Sequence, residues 1–400
     1  MTAVLDRMTA EGHEQVVFVA DAAVGVRAII AVHSTALGPS LGGIRFWHYP
    51  REVDALVDAL RLSRAMTLKA AAAGLHQGGG KAVVLWDEPG DQRKEPFLRV
   101  LGQAIDELGG RYIAAEDVGA TPADMNGIAR ETRWVTGIDG PGGSGDPSPF
   151  TAVGVVAAMR AALRELGDEP TLEGRRVVVQ GAGHVGAHLT RLLVEAGAAV
   201  TVADVRADRV DALQRAHGVD ATAADAALQG ECDILAPCAL GAVLTEGLVP
   251  RLRCRAVVGA ANNQLAAPDV DDALAARGIV YAPDFVANAG GIINLAEEFV
   301  GYDADRALTR TERIEHTMTG VFALATELRV PPGRAAETMA ERRIAKEGAR
   351  RRWRPGDPAA WTGGEPLRTL RPTPTPDSER VGSFSSPMAR KTTQRRRKTS

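Results

Sequence analysis

The sequence predicts an α/β protein of two domains with a cleft between them, an N-terminal α/β domain followed by a doubly wound parallel sheet. The length of 400 residues exceeds the roughly 250 to 300 residues at which single hydrophobic cores stop growing. Strand and helix patterns alternate from residue 150 to about 300, which is typical of a parallel sheet covered on both faces. A linker rich in glycine and proline, PGGSGDPSP at 141–149, separates the two parts.

The composition is that of a folded globular protein, with 45% hydrophobic and 24% charged residues. The first residues lack the basic and apolar segments of a signal peptide, and no apolar run reaches the roughly 18 residues of a membrane span. Three cysteines, Cys232, Cys238 and Cys254, are too few for a disulfide framework and lack metal-ligand spacing. We therefore expect a cytoplasmic protein without a membrane partner.

The first domain begins with two strands around a turn, in EQVVFVADAAVGVRAIIAVH. From Glu52 onward, apolar residues recur at spacings of three and four, which predicts a helix that runs on to MTLKAAAAG. A second amphipathic helix, EPFLRVLGQAIDELGG, should end at Gly109. The short strand RYIAA then delivers Glu116 and Asp117, and ligands bind at such strand ends in α/β sheets.

The second domain shows the alternation in RRVVVQGAGHVG, a helix to Glu195, and the strands AAVTVADV, CDILAPCAL, RAVVGAANN and GIVYAPDF. Helical patterns from Asp305 to about Arg352 have no strands beside them. We expect these helices to pack back on the first domain or across the cleft.

A dinucleotide motif opens the second domain. GAGHVG follows a strand and starts an apolar-periodic helix, and Asp204 closes the next strand 21 residues after Gly183. These three contexts predict a Rossmann-type site whose glycines admit the pyrophosphate to the helix N-terminus. An acid at Asp204 would hold a ribose 2′-hydroxyl and favours NAD over NADP, although Arg206 leaves NADP open. The predicted cofactor residues here are Gly181, Gly183, His184, Val185, Gly186, Asp204 and Arg206.

One lysine, Lys81, stands in GLHQGGGKAVV directly after three glycines and before an apolar run. A phosphate-binding P-loop is excluded, because that motif needs a glycine at Leu75 and a hydroxyl residue at Ala82. Burial would favour the neutral form of the lysine and make it a base, whereas a solvated surface lysine remains the alternative. We expect the glycines to let substrate and water lie against this backbone. Lys69 and Asp117 could face the same cleft.

Several segments together carry a resemblance to a known family. HSTALGPSLGGIRFW, LRLSRAMTLKAAAAGLHQGGGKAVV, GGRYIAAEDVG, GSGDPSPFTA, APCALGAVL and YAPDFVANAGGIINLAEE resemble, in order and spacing, the leucine, phenylalanine and valine dehydrogenases of the glutamate dehydrogenase superfamily. The match covers about residues 25 to 350. The resemblance implies an amino-acid dehydrogenase that uses NAD, with Lys81 activating water, Asp117 moving a proton, and Lys69 with Gly42 and Gly43 binding the substrate α-carboxylate.

Further site residues follow from the same resemblance. It places Asn262 and Asn288 between nicotinamide and substrate, and these cofactor contacts along NAD: Ser148, Thr151, Cys238, Ala239, Leu240 and Asn262. Each has a simpler alternative: Cys238 could be packing, the two hydroxyl residues could cap the helix after the linker, and asparagines are common in turns.

The resemblance also bears on the substrate. In glutamate-specific relatives the position of Leu41 is a lysine and that of Leu295 a small hydroxyl residue, so a substrate carboxylate should be rejected here. With Ala115 and Ile292, these leucines favour a branched aliphatic side chain of valine, leucine or isoleucine. Phenylalanine or another aromatic amino acid is the alternative.

The resemblance and the composition together give the domain plan. We predict a substrate and catalytic domain at 1–145, an NAD-binding domain at 146–305, C-terminal helices at 306–352 that pack on the first domain, and a disordered basic tail at 353–400. That tail makes residues 351–400 carry a net charge of +8 and leaves −11 for the rest. Nucleic-acid binding is not expected from such an acidic body.

Two broader expectations concern partners and function class. Family members form homo-oligomers, so the resemblance implies that the chain is not a monomer. A non-catalytic NAD-binding regulator would be the alternative of another class, but it would not need Lys69, Lys81 and Asp117 together. The histidines have no ligand spacing, and no metal is expected.

Overall fold

The computed structural model describes residues 4–86 and 94–348. The strands are β1 Gln15–Asp21, β2 Val26–Ser34, β3 Ser40–Trp47, β4 Gly78–Leu85, β5 Tyr112–Glu116, β6 Arg176–Gln180, β7 Ala199–Ala203, β8 Asp220–Ala221, β9 Ile234–Pro237, β10 Ala256–Val257 and β11 Val280–Tyr281. The helices are α1 Val4–Glu11, α2 Glu52–Ala72, α3 Lys94–Glu107, α4 Pro122–Ile128, α5 Ser148–Glu165, α6 His184–Glu195, α7 Ala207–His217, α8 Ala224–Ala227, α9 Asp269–Ala276, α10 Asp284–Ala287, α11 Gly290–Ala296, α12 Ala304–Glu312, α13 Ile314–Leu328 and α14 Pro332–Gly348.

The first sheet is mixed, with the strand order β1-β2-β4-β3-β5. β1 and β2 form an antiparallel hairpin, and β2 also pairs antiparallel with β4, whereas β3 pairs in parallel with β4 and β5. Every residue of β4 from Gly78 to Val84 is buried. The sequence predicted the hairpin. It did not predict that β3 and β4 lie side by side in the sheet, since α2 separates them along the chain.

The second sheet is parallel throughout, with the order β11-β10-β9-β6-β7-β8. Chain order therefore reverses between β6 and β9, which is the topological switch point where doubly wound sheets bind ligands. The core strands β6, β7 and β9 are short and rich in valine, isoleucine and alanine, as expected for strands buried on both faces. This confirms the predicted α/β fold with a Rossmann-type sheet.

The C-terminal helices contact both parts of the molecule. α12 and α13 pack on α5, while α14 packs on α2. Arg343 of α14 donates hydrogen bonds to the carbonyls of Ala71 (2.8 Å) and Leu75 (2.8 Å), which satisfies backbone groups at the end of α2. The helix that carries Lys69 is thus held at its C-terminal end by the last described helix of the chain.

The described residues contain no helix long and apolar enough to cross a membrane. The predicted tail at 353–400 lies outside the described residues, and the proposed domain limits remain predictions.

Candidate active site

A cavity of about 320 Å³ lies between the two sheets. Its wall includes thirteen of the residues predicted from the sequence: Leu41, Gly42, Gly43, Lys69, Lys81, Ala115, Asp117, Thr151, Val185, Asn262, Asn288, Ile292 and Leu295. They come from β3, β4, α2 and β5 on one side, and from α5, α6, α10 and α11 and the loop after β10 on the other. The predicted catalytic and substrate residues therefore share one cavity.

Lys81 and Asp117 form the buried ionic pair of this cavity. The Lys81 Nζ lies 2.7 Å from Asp117 Oδ2, and their side chains are 5% and 17% exposed. Burial lowers the pKa of Lys81, with Arg45 acting in the same direction and Asp117 opposing it. Burial would raise the pKa of Asp117, but Lys81 and Arg45 outweigh it and hold that pKa at about 2. Lys81 is thus not a solvated surface lysine, which excludes the alternative considered above.

Lys69 reaches across the cavity toward the second domain. Its Nζ donates to Asn262 Oδ1 at 3.4 Å, and Asn288 Nδ2 donates to the same oxygen at 2.8 Å. Burial lowers the pKa of Lys69 to about 8, an effect that Asp284 opposes and Lys81 reinforces. Both lysines therefore have lowered pKa values. At neutral pH Lys69 still carries its charge and can pair with an anion.

Pairing between β3 and β4 is interrupted at the cavity. The register joins Leu41 to Gly79 and then Ile44 to Ala82, so Gly42 and Gly43 lie in a gap of the ladder. Tyr112 Oη donates to the Gly42 carbonyl at 2.7 Å, which gives a partner to one backbone group in the gap. The gap leaves main chain of the two glycines at the cavity wall.

The three glycines before Lys81 serve the fold and not the ligand, so their predicted role was wrong. They belong to β4 itself and are buried. A Cβ on Gly78 would overlap the Ser34 carbonyl, one on Gly79 the backbone of Thr67 in α2, and one on Gly80 would press on the Tyr112 ring. Glycine is required there because a helix and two strands approach the β4 backbone closely.

The apolar part of the cavity wall contains Leu41, Ala115, Ile292 and Leu295. All four are buried, at 0%, 2%, 4% and 7% exposure. Leu62, Ala65 and Met66 of α2 line the cavity one to two turns before Lys69 and on the same helix face. The cavity wall thus offers hydrocarbon surface from both domains.

The glycine-rich loop lies at the switch point, next to the cavity. Its three glycines do not line the cavity, whereas Val185, at the start of α6, does. Gly181 has φ +110°, and a Cβ on Gly186 would overlap the Gly181 carbonyl. Gly183 is the N-cap of α6, and a Cβ there would meet only Arg209 Nη1, at 3.9 Å. The three positions thus provide a tight turn, an open surface at a helix N-terminus, and close helix packing, as a bound pyrophosphate requires.

Asp204 and Arg206 follow β7 beside this loop. One Asp204 oxygen accepts the Ala182 N–H at 2.6 Å and the other accepts the Arg206 N–H at 2.8 Å. The Arg206 guanidinium donates to both oxygens of Asp208, at 2.9 and 2.8 Å. Its charge is therefore engaged with a neighbouring carboxylate.

Of the other predicted cofactor residues, Thr151 and Asn262 line the cavity, whereas Cys238 and Ala239 lie beside the glycine-rich loop. The backbone of Cys238 and Ala239 packs against Gly181, and Leu240 is 77% exposed. Burial raises the pKa of the Cys238 thiol to about 12, so the thiol stays protonated at neutral pH. Ser148 does not cap α5, because the N-cap is Pro147 and makes no side-chain bond. The hydroxyl of Thr151 donates to the Pro147 carbonyl at 3.0 Å.

Sequence reasoning missed three ionisable groups near the site, Arg45, Asp58 and Asp284, and it placed Glu116 at the end of β5 without giving it a role. Arg45 lies two residues beyond Gly43 on β3, and the period of two in a strand could have placed it on the cavity side. Glu116 lines the cavity with one oxygen buried and unpartnered; burial and nearby acidic residues raise its pKa to about 7. Burial also raises the pKa of Asp284, which accepts the Gln264 N–H at 2.8 Å.

Among residues 4–86 and 94–348, the structure contains no cluster of His, Cys, Asp and Glu side chains that could hold a metal ion. The cysteines Cys232, Cys238 and Cys254 are free thiols.

Two family models match the chain over most of its length. The model for the dimerisation domain of Glu/Leu/Phe/Val dehydrogenases covers residues 13–134. The model for glutamate/leucine/phenylalanine/valine dehydrogenase covers residues 142–207 and 202–347.

Individual relatives agree with these models. A valine dehydrogenase of Streptomyces albus is 50% identical over 344 residues, which are 85% of this chain and 94% of the relative. A leucine dehydrogenase of Thermoactinomyces intermedius is 46% identical over 342 residues, 85% of this chain and 93% of that protein. The crystal structure of an L-tryptophan dehydrogenase from Nostoc punctiforme superposes with a TM-score of 0.75 at 38% identity, over 86% of this chain and 99% of that one. The resemblance seen in the sequence is confirmed, and the chain belongs to the Glu/Leu/Phe/Val dehydrogenase family of amino-acid dehydrogenases.

Proposed function

We propose that the protein catalyses the NAD-dependent, reversible oxidative deamination of a branched-chain aliphatic L-amino acid, valine, leucine or isoleucine, to the 2-oxo acid and ammonia. The observation that carries this proposal is the buried Lys81–Asp117 pair in one cavity with Lys69 and an apolar wall. A charged lysine for a carboxylate, a desolvated lysine for proton transfer and a hydrocarbon wall are the three features that such a substrate requires.

The residues of the glycine-rich loop fit a dinucleotide. Gly183 offers an open surface at the N-terminus of α6, where a pyrophosphate is stabilised by free N–H groups and the helix dipole. Asp204 would accept the ribose hydroxyl, and its negative charge would repel a 2′-phosphate. Because Arg206 is turned to Asp208, it supports NADP poorly, and we propose NAD. Bound NAD would accept a hydride from the substrate Cα and leave an iminium carbon on the substrate.

The protein side chains would then manage the protons. Lys69 and the backbone at Gly42 and Gly43 would fix the α-carboxylate. Neutral Lys81 would take a proton from the water that adds to the iminium carbon. Asp117, 2.7 Å away, could pass that proton to the amino nitrogen. Lys81 would next accept the hydroxyl proton as the C–N bond breaks and ammonia leaves.

The side-chain pocket supports an aliphatic substrate. Leu41 and Leu295 are buried and apolar, so a glutamate side chain against them would lose its water without a partner, at a cost on the order of several kcal/mol. The relatives at 50% and 46% identity are a valine and a leucine dehydrogenase. The tryptophan dehydrogenase at 38% identity keeps an aromatic substrate as the second candidate.

We also propose that the protein is a homo-oligomer in the cytoplasm. The first family model describes a dimerisation domain, and three free thiols suit a reducing compartment. A non-catalytic regulator is disfavoured because the complete set of Lys69, Lys81 and Asp117 lines the cavity.

The test measures kcat/KM from absorbance at 340 nm with NAD and valine, leucine, phenylalanine, tryptophan and glutamate. We expect the aliphatic substrates to be used best and glutamate to be rejected. Leu41→Lys should lose activity with leucine, since it places a charge against the aliphatic chain. Leu308→Lys, at a partly exposed position of α12, is the control. Efficient turnover of glutamate by the wild type, or unchanged use of leucine by Leu41→Lys, would contradict the proposed pocket.

A further inference from the structure

Arg45 connects the buried ionic pair to a second carboxylate on α2. Its Nε donates to Asp117 Oδ2 at 3.0 Å, and its Nη1 donates to Asp58 Oδ2 at 3.0 Å. The side chains of Arg45, Asp58 and Asp117 are 19%, 16% and 17% exposed. A guanidinium is planar with donors in fixed directions, so this double contact fixes the relative positions of the two carboxylates.

Arg45 and Lys81 share one oxygen of Asp117. Lys81 Nζ lies 2.7 Å and Arg45 Nε 3.0 Å from Oδ2. Two cations on one carboxylate oxygen compete for its negative charge, and each weakens the attraction of the other.

Arg45 is itself held in place by a network around Asp58. The Tyr49 hydroxyl donates to Asp58 Oδ2 at 2.6 Å, and Arg61 donates to Asp58 Oδ1 at 2.8 Å. Burial raises the pKa of Asp58, but these hydrogen bonds outweigh that effect and hold the pKa below its usual value. Asp58 therefore remains a carboxylate and anchors the far end of Arg45.

We infer that Arg45 is a positioning residue that fixes the orientation of Asp117 and weakens the hold of this carboxylate on the Lys81 proton. The inference rests on the proposed function, in which Lys81 must give up that proton to act as a base. An ion pair with Asp117 alone would stabilise the charged form of Lys81 and oppose its role. Arg45, which lines the same cavity, offsets this effect through the Asp117 oxygen that it shares with Lys81.

The other charged groups around Lys81 do not duplicate this contact. Two charged groups come from α2. Asp58 raises the pKa of Lys81, whereas Lys69 repels its charged form. β5 contributes Glu116, whose pKa of about 7 leaves it partly protonated at neutral pH. β2 pairs the uncharged Ala31 with Lys81. Arg45 is thus the cation that shares the Asp117 oxygen, and its removal should be visible in the pH dependence of the reaction.

The experiment compares the pH profiles of kcat/KM for deamination in the wild type, Arg45→Gln, Arg45→Lys and Arg61→Gln. Arg45→Gln should lower kcat about tenfold or more and move the acidic limb upward by about one pH unit, because Lys81 loses a neighbouring positive charge. Arg45→Lys keeps the positive charge but cannot donate to Asp117 and Asp58 in the fixed directions of a guanidinium. We therefore expect kcat to fall while the acidic limb stays near its wild-type position. Arg61→Gln removes one donor to Asp58 but leaves Arg45 on Asp117, so kcat should fall less than in Arg45→Gln and the limb should stay near its wild-type position.

A purely structural role would not move the limb, because its position does not depend on the fraction of active enzyme. An Arg45→Gln enzyme with the wild-type limb would overturn the inference. If this variant cannot be purified folded, Arg45→Lys decides, and wild-type kcat in that variant would overturn the inference as well. An inactive wild type across the amino-acid panel would instead refute the proposed function, so the two failures are distinguishable.

Discussion

At the scale of single residues, the roles of the lysines depend on what surrounds each ammonium group. Lys81→Ala should lower kcat by about 10² to 10⁴ or more, because the water would lose its base, while NAD binding at the glycine-rich loop stays unchanged. The variant should fold, since Asp117 keeps Arg45 as a partner. Turnover and fluorescence titration with NADH measure the two effects, and Lys346→Ala on α14, an exposed position, is the control. Near-normal turnover would remove Lys81 from the mechanism.

Site residues could be predicted where they belong to a sequence motif. They could not be predicted where they come together only in the folded structure. Lys81, Asp117 and Lys69 stand in segments with a recognisable order, and the structure places them in one cavity. Arg45 and Asp58 are 13 residues apart on a strand and a helix. Their contact depends on how α2 crosses the sheet, which no local pattern encodes. In the sequence Asp284 looks like any acidic residue of a loop. Only its burial in the structure distinguishes it from the others.

At the scale of elements, β4 packs closely against α2. A Cβ on Gly79 would overlap the backbone nitrogen of Thr67, and a helix backbone cannot move away as a flexible side chain can. Gly79→Ala should therefore destabilise the protein by about 1–3 kcal/mol or more. Because Thr67 lies two residues from Lys69 on α2, activity should fall too. Thermal midpoints at equal protein concentration and kcat/KM measure both effects.

The matched control is Gly320→Ala in the interior of α13, where a Cβ would meet nothing within 4 Å. There the substitution should raise stability by about 0.5–1 kcal/mol, through the lower flexibility of the unfolded chain. Equal effects of the two substitutions would show that the β4–α2 contact is looser than the structure indicates.

The elements themselves were largely predictable, since β1, β2, α2, α3, β5 and the β6–α6–β7 unit occur where their hydrophobic periods placed them. Pairing between strands distant in the chain was not. The parallel pair β3–β4 encloses α2 as its crossover, and the strand β8, which was not predicted, is two residues long, too short to show a period. The interrupted ladder at Gly42 and Gly43 is equally invisible in the sequence, because it depends on the neighbouring strand.

At the scale of the whole molecule, the site is built from both sheets, and the end of the chain supports it. α14 buries Ala335, Ala336 and Ala340, and Ala340 packs with Leu37, Leu68 and Ala71. Arg343 satisfies carbonyls at the end of α2. The architecture therefore ties α2, the helix that carries Lys69, to a helix that follows much later in the chain, since Arg343 and Ala71 are 272 residues apart.

This arrangement separates two truncations. Ending the chain after Arg354 removes residues beyond those the structure describes, a segment dominated by Pro, Ser, Thr and basic residues, and should leave activity and melting temperature nearly unchanged. Ending it after Val330 also removes α14, which would expose Leu68 and Ala71 and leave the α2 carbonyls without Arg343. We expect that shorter chain to be insoluble or to melt at a lower temperature with weakened activity, because the helix that carries Lys69 loses its support. Melting curves and 340 nm assays of the two truncated chains beside the full one give the answer, and loss of soluble protein after the first truncation would show that the tail docks on the fold.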